Sequence, residues 1–123
     1  MGNDVIETSK ILIIDDDSQM RNLLRSILLQ NGFQNIFGSA NAKDGETQFT
    51  TLKPDFTFLD INLPDTDGLT LLKRFLALDH TAKIIMISGD STFANVKTSL
   101  DNGAKGFVVK PFSIKKILDN IRN

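Results

Sequence analysis

The fold this sequence predicts is an open, doubly wound α/β domain on a five-stranded parallel sheet. Three observations carry that expectation. Five short apolar runs alternate with five stretches of helical periodicity, and no internal repeat or low-complexity linker interrupts them. The runs are near-continuous in Val, Ile, Leu and Phe, as strands covered on both faces are. Finally, 123 residues hold one sizeable core but not the eight strands of a closed α/β barrel.

Residues 1–9 are polar and read as a short lead, with the domain itself over 10–123. Lys10-Ile11-Leu12-Ile13-Ile14 is the first strand, and it stops on Asp15-Asp16-Asp17-Ser18. The helix after it places Met20, Leu23, Leu24, Ile27 and Leu28 on one stripe and ends at Gly32. Asp17 or Ser18 can cap its start, where acidic residues also suit the helix dipole. A weaker strand near Asn35-Ile36-Phe37 gives way to Gly38-Ser39-Ala40. A more polar helix near Ala42 to Leu52 turns Phe49 and Leu52 inward, and Lys53-Pro54 ends it.

The third strand lies in Asp55-Phe56-Thr57-Phe58-Leu59-Asp60, and the chain then breaks into the turn-rich Asn62-Leu63-Pro64-Asp65-Thr66-Asp67-Gly68. A helix near Leu69 to Leu78 directs Leu69, Leu72, Phe75 and Leu76 to the core. Lys83-Ile84-Ile85-Met86-Ile87 is the fourth strand, followed by Ser88-Gly89-Asp90-Ser91 and a helix near Thr92 to Leu100 that stops at Asn102-Gly103. Gly106-Phe107-Val108-Val109 is the fifth strand, ending on Lys110-Pro111-Phe112. Ser113 can cap a last helix with the stripe Ile114, Ile117, Leu118 and Ile121.

Composition excludes several functions. A formal net charge of −1 gives no electrostatic reason to expect nucleic acid or a membrane surface as partner. With no cysteine there is no disulfide, thiolate metal site or cysteine nucleophile. One histidine, His80, in a polar connection, rules out a multi-histidine metal site in one chain. No apolar run approaches the roughly 18–20 residues of a spanning helix, and the polar start lacks a signal-peptide core. The chain therefore reads as soluble and cytoplasmic.

In such sheets ligands bind beyond the carboxyl ends of the strands. Those ends carry Asp15 and Asp16, Asp60, Ser88 and Lys110, while the second strand offers only Gly38 and Ser39, as suits an edge. Taken singly, each has a plain reading as a turn or cap residue. Together they place three carboxylates, a hydroxyl and an ammonium in one shallow cleft. Three carboxylates and one lysine leave a formal −2, which a single divalent cation would balance. Magnesium suits oxygen ligands, keeps several waters and accepts substrate phosphate. Cation and lysine would keep Asp60 ionised, as a nucleophile requires, and Ser88 and Lys110 are donors fit for phosphoryl oxygens. The pattern points to phosphoryl chemistry on a carboxylate.

The segments Ile14-Asp15-Asp16-Asp17-Ser18, Leu59-Asp60-Ile61-Asn62-Leu63-Pro64, Asp67-Gly68, Ile87-Ser88-Gly89 and Val109-Lys110-Pro111-Phe112 resemble the receiver domain of bacterial two-component response regulators. The resemblance, to the chemotaxis-regulator type, runs over nearly the whole chain. It implies the flavodoxin-like (βα)5 fold with strand order 2-1-3-4-5. It implies that Asp60 is the phosphoacceptor, served by a sensor histidine kinase or a histidine phosphotransfer protein. Magnesium would be bound by Asp16 and Asp60, by the backbone carbonyl of Asn62 and, through water, by Asp15. Ser88 and Lys110 would contact the phosphoryl group, with a cis peptide before Pro111. Ser88 and Phe107 would form the switch, altering the surface of the fourth helix, fifth strand and fifth helix for a downstream protein. Family relatives often carry tyrosine at the Phe107 position; phenylalanine has no hydroxyl, which leaves a steric coupling. Asn62 and Asp90 occupy positions that tune acyl-phosphate hydrolysis. Such a domain is not an enzyme on other molecules, since it catalyses only its own phosphorylation and dephosphorylation.

Other readings fit less well. An aspartyl-phosphate phosphatase of the haloacid-dehalogenase type resembles Asp-x-Asp at its nucleophile, but Asn62 stands at the second position and no cap domain is present. A flavodoxin-type cofactor binder needs phosphate donors where Asp15-Asp16-Asp17 offers repulsion. A receiver used as a phosphorylation-independent interaction module remains the alternative. No output module follows Asn123, as suits either a stand-alone receiver or one cut from a longer regulator.

Overall fold

Strands and helices alternate without exception in the computed structural model, which describes residues 8–89 and 93–122. The strands are β1 (Lys10–Ile14), β2 (Asn35–Ser39), β3 (Phe56–Asp60), β4 (Lys83–Ser88) and β5 (Gly106–Val109). The helices are α1 (Ser18–Gln30), α2 (Ala42–Leu52), α3 (Gly68–Leu78), α4 (Phe93–Asp101) and α5 (Ile114–Arg122). All four strand pairings are parallel and give the order β2-β1-β3-β4-β5. The expected architecture and order are both present.

Side-chain alternation divides the strands between two cores. Ile11, Ile13, Phe56, Phe58, Ile85, Ile87 and Val108 pack with α1 and α5 on one face. Leu12, Ile14, Leu59, Ile84 and Met86 pack with α2 and α3 on the other. Each fully buried Leu, Ile or Phe contributes about 1.5–3 kcal/mol of transfer free energy, which fixes the strand register. Phe49 and Phe75 stack between α2 and α3 with ring centroids 4.0 Å apart.

Helix ends follow the sequence closely. Asp17 caps α1 by accepting from Gln19 and Met20, Asn41 caps α2 through the Asp44 amide, and Asp67 caps α3 through Leu69. Ser113 accepts from Lys116 at the start of α5. At the other end of α2, Lys53 takes the left-handed conformation with φ 51° ahead of Pro54.

Helix faces are less faithful to the expected stripes. Leu23 and Ile114 face solvent rather than the core, being 41% and 53% exposed. In α3, Leu72 and Phe75 are buried and Leu69 and Leu76 pack half-buried against the same core, as expected, while Leu71, outside the expected stripe, is fully buried. For Leu23 and Ile114, three-to-four spacing allowed a wider stripe than the sheet covers. The expected start of the fourth helix at Thr92 lies outside the described residues.

Candidate functional site

β3 is the central strand, paired with β1 and β4, and every one of its residues is buried. Its last residue, Asp60, is 3% exposed. Parallel register brings the end of β1 alongside, where Asp15 is fully buried and its neighbour Asp16 is exposed. That contrast is the strand alternation carried one step into the loop. Asp15, Asp16 and Asp60 offer carboxylate oxygens within 4.8 Å of one another.

Lys110 enters from the end of β5. Its Nζ lies 2.8 Å from Asp15 Oδ2 and donates to Asp60 Oδ2 at 2.9 Å. The second oxygen of Asp60 accepts from the Asn62 amide at 3.0 Å, and Asp15 Oδ1 accepts from Asp17 N–H at 3.0 Å. Asp15 Oδ2 has Lys110 at ion-pair distance but off the line of a hydrogen bond, so this buried oxygen has no aligned donor. Ser88 ends β4, fully buried, and its carbonyl accepts from Lys110 N–H at 2.9 Å. The Lys110–Pro111 peptide is cis.

The electrostatics follow from burial and partners. Burial raises the Asp60 carboxyl above its ordinary value; the Asn62 and Lys110 hydrogen bonds oppose the rise and the Asp15 charge adds to it. Burial alone would lower the Lys110 ammonium. Its contacts with Asp15 and Asp60 outweigh that and hold it above its usual range. Three carboxylates against one ammonium leave negative charge in excess, and a buried carboxylate oxygen without an aligned donor faces the same space. All-oxygen donors of this kind fit a hard divalent cation such as magnesium.

The structure thus brings together Asp15, Asp16, Asp60 and Lys110, with Ser88 at the adjoining strand end. Asn62 is exposed in the loop after β3 and touches the site through its amide. Phe107 stands apart on β5, opposite Met86, half-buried against the α2–α3 core. Asp90 lies outside the described residues.

Two supporting contacts escaped the sequence reading, and a third residue that it did single out has a closer role than expected. Arg21 reaches back from α1 to donate to the Asp15 carbonyl at 2.6 Å. Asp65, read only as a turn residue, accepts from the Ala42 and Lys43 amides at the start of α2. Gly68 sits so close to β3 that a β-carbon on it would stand 2.2 Å from the Asp60 carbonyl oxygen. The Arg21 contact crosses the loop between β1 and α1, and that of Asp65 spans more than twenty residues; for Gly68 the motif Asp67-Gly68 marked the position but not the close approach.

Fold and pocket together define a doubly wound α/β domain with an acidic pocket compatible with a divalent cation. The family model of the response regulator receiver domain matches residues 11–122. Chemotaxis protein CheY of Bacillus subtilis is 36% identical over 112 residues, covering 91% of this chain and 93% of that one. Sporulation initiation phosphotransferase F of the same organism is 32% identical, with 92% and 90% covered. Among solved structures, the CheX–CheY–BeF3–Mg complex from Borrelia burgdorferi matches with a TM-score of 0.89 at 32% identity, covering 96% of this chain and 90% of that one. The chain belongs to the response regulator receiver domain family. It is a receiver of two-component signal transduction, a family whose general mechanism is magnesium-dependent phosphorylation. No helix among the described residues is long and apolar enough to cross a membrane.

Proposed function

We propose that Asp60 is the phosphoacceptor and that residues 10–123 are the working receiver unit, with 1–9 a lead. The observation that carries this reading is the contact of Asp60 Oδ2 with Lys110 Nζ at 2.9 Å, inside a group of three carboxylates at the carboxyl edge of the sheet. A carboxylate oxygen of Asp60 attacks the phosphorus of a phosphohistidine on a sensor kinase or phosphotransfer protein. An O–P bond forms as the N–P bond breaks, and the electron pair returns to the imidazole, which takes up a proton. Asp15, Asp16, Asp60 and the Asn62 carbonyl would hold magnesium, which when bound supplies positive charge to the carboxylates and to the transferring group.

The chain's own residues supply the remainder. Lys110, kept charged by its carboxylate neighbours, neutralises a phosphoryl oxygen. The Ser88 hydroxyl donates to another and draws its loop inward. Ser88 and Lys110 are already linked through the Ser88 carbonyl, so movement of one strand end is felt by the other. Phe107, three residues before Lys110, then repacks by shape alone, and the α4–β5–α5 surface changes for a downstream protein. Hydrolysis of the acyl phosphate resets the domain, so its catalysis acts on itself. A cytoplasmic setting suits a kinase-fed receiver.

Incubation with magnesium and a small-molecule phosphodonor tests the proposal. Intact mass should rise by one phosphoryl group in the parent and not in Asp60→Asn. A parent that gains nothing would overturn the assignment and favour an interaction module that works without phosphorylation.

A further inference from the structure

The loop between β3 and α3 carries Asn62, yet the ties within it are local. Gly68 N–H donates to the Ile61 carbonyl at 2.7 Å, Asn62 bridges Asp67, and Asp67 caps α3. These contacts close the base of the loop and leave its tip, Leu63 to Thr66, without support from them. Asp65 is the exception. Its Oδ1 accepts from Ala42 N–H at 2.8 Å and its Oδ2 from Lys43 N–H at 3.0 Å, one oxygen on each of two successive amides. These are the first two amides of α2, which the local cap Asn41 does not reach because it takes the Asp44 amide instead. The positive end of the helix dipole adds to the attraction, and the Ala42 hydrogen bond, ahead of that of Lys43, holds the Asp65 carboxyl below its usual range.

Helix α2 is itself fixed against β1. A β-carbon on Gly45 would lie 2.6 Å from Ile14 Cδ1, so the helix rests directly on the residue preceding Asp15. Asp65 therefore joins the loop bearing Asn62 to the same scaffold that places Asp15. A loop clamped only at its base can rock; one clamped at base and tip keeps its backbone carbonyls in a fixed direction.

We propose that Asp65 is a positioning residue for the magnesium site, holding the loop, and with it the Asn62 carbonyl, against the N-terminus of α2. The proposal rests on the reading of the Asp15–Asp16–Asp60 pocket as that site. It separates two caps on one helix: Asn41 serves α2 alone, whereas Asp65 serves α2 and the pocket.

The experiment uses that separation. Magnesium alone is titrated into the full chain, Asp65→Ala, Asp65→Asn and Asn41→Ala by calorimetry, with thermal unfolding of the metal-free forms alongside. Both alanine variants should lower Tm by a few degrees through the lost cap. Only Asp65→Ala should weaken magnesium binding, by about tenfold, the lower end for residues that orient metal ligands. Asp65→Asn, which keeps one acceptor oxygen, should recover part of the affinity. Equal magnesium affinity in Asp65→Ala and the parent, or an equal loss in Asn41→Ala, would overturn the proposal. A parent that binds no magnesium would instead overturn the reading of the pocket on which it rests.

Discussion

The two edges of the sheet handle charge in opposite ways. At the amino edge Lys10, Lys83 and Lys105 each have a local partner. Lys10 N–H donates to Asp55 Oδ2 at 2.8 Å and Asp55 N–H returns to the Lys10 carbonyl at 2.8 Å. Lys105 donates from its backbone to Ile84 and from its ammonium to the Asn120 carbonyl, and Lys83 sits 5.3 Å above the Phe56 ring. At the carboxyl edge, Asp15 and Asp60 are buried around one ammonium with Asp16 beside them, and one buried oxygen has no aligned donor. At one edge the ammonium groups meet carbonyl oxygens and a ring, and burial together with the nearby Lys83 charge holds the Lys105 ammonium below its usual range; the other holds anionic charge in excess of its own cation. That excess makes the carboxyl edge compatible with a divalent cation.

Removing Lys110 should break this contrast most severely. Lys110→Ala leaves two buried carboxylates uncompensated, and in magnesium-free buffer it should cost about 3 kcal/mol by urea unfolding. Saturating magnesium should restore part of that loss. A cost below about 1 kcal/mol would mean that the carboxylates are already solvated in the folded protein.

The next effect in size is a pH dependence. The native Asp60 carboxyl titrates above its ordinary value of 3.8 because burial disfavours its charge. Between 3.8 and that raised value the native state keeps a proton that the unfolded chain has lost. The native state then binds more protons, so this group's contribution to stability falls as pH rises through the window. Lys110, whose own value is raised, stays charged throughout. In metal-free buffer Asp60→Asn should therefore be more stable than the parent at neutral pH, and the difference should shrink as pH falls toward 3.8. A difference that does not change with pH would remove Asp60 as its source.

The smallest effect belongs to the amino edge. Asp55→Ala removes an exposed acceptor from Lys10 N–H and should cost about 1 kcal/mol or less. Phosphorylation and magnesium binding should be unchanged. A clear loss of either would show that the two edges are coupled through β1 and β3.

Much of this organisation is legible in the sequence, for identifiable reasons. The apolar runs at Lys10–Ile14 and Gly106–Val109 coincide with β1 and β5, because short runs of β-branched and aromatic residues favour strands, even at the half-buried edge that β5 occupies. Ala42 to Leu52 coincides with α2, since Asn41 and Lys53-Pro54 bound it locally. The pocket was legible because parallel strands force their carboxyl ends to one side, so order along the chain predicts proximity. Contacts that span loops were not. Nothing near Asp65 states that it caps a helix more than twenty residues earlier. Nor do two adjacent aspartates announce that Asp15 is fully buried while Asp16 is exposed, which depends on the face each takes at the strand end. Leu23 and Ile114 were misjudged for a related cause: periodicity gives a helix an apolar side but not the width that its neighbours will cover.

Gly68 sets a limit on how this pocket can be altered. Its value lies in absent volume, since a β-carbon there would meet the Asp60 carbonyl oxygen at 2.2 Å and Ile61 Cα at 2.6 Å, both backbone atoms with no rotamer by which to yield. Exchanging a carboxylate for an amide in the pocket changes its charge and leaves its shape. Exchanging this glycine, even for alanine, would drive the first turn of α3 away from the end of β3 and carry the loop with it. A redesign that retuned every acidic side chain for another ion would still have to keep that one gap empty.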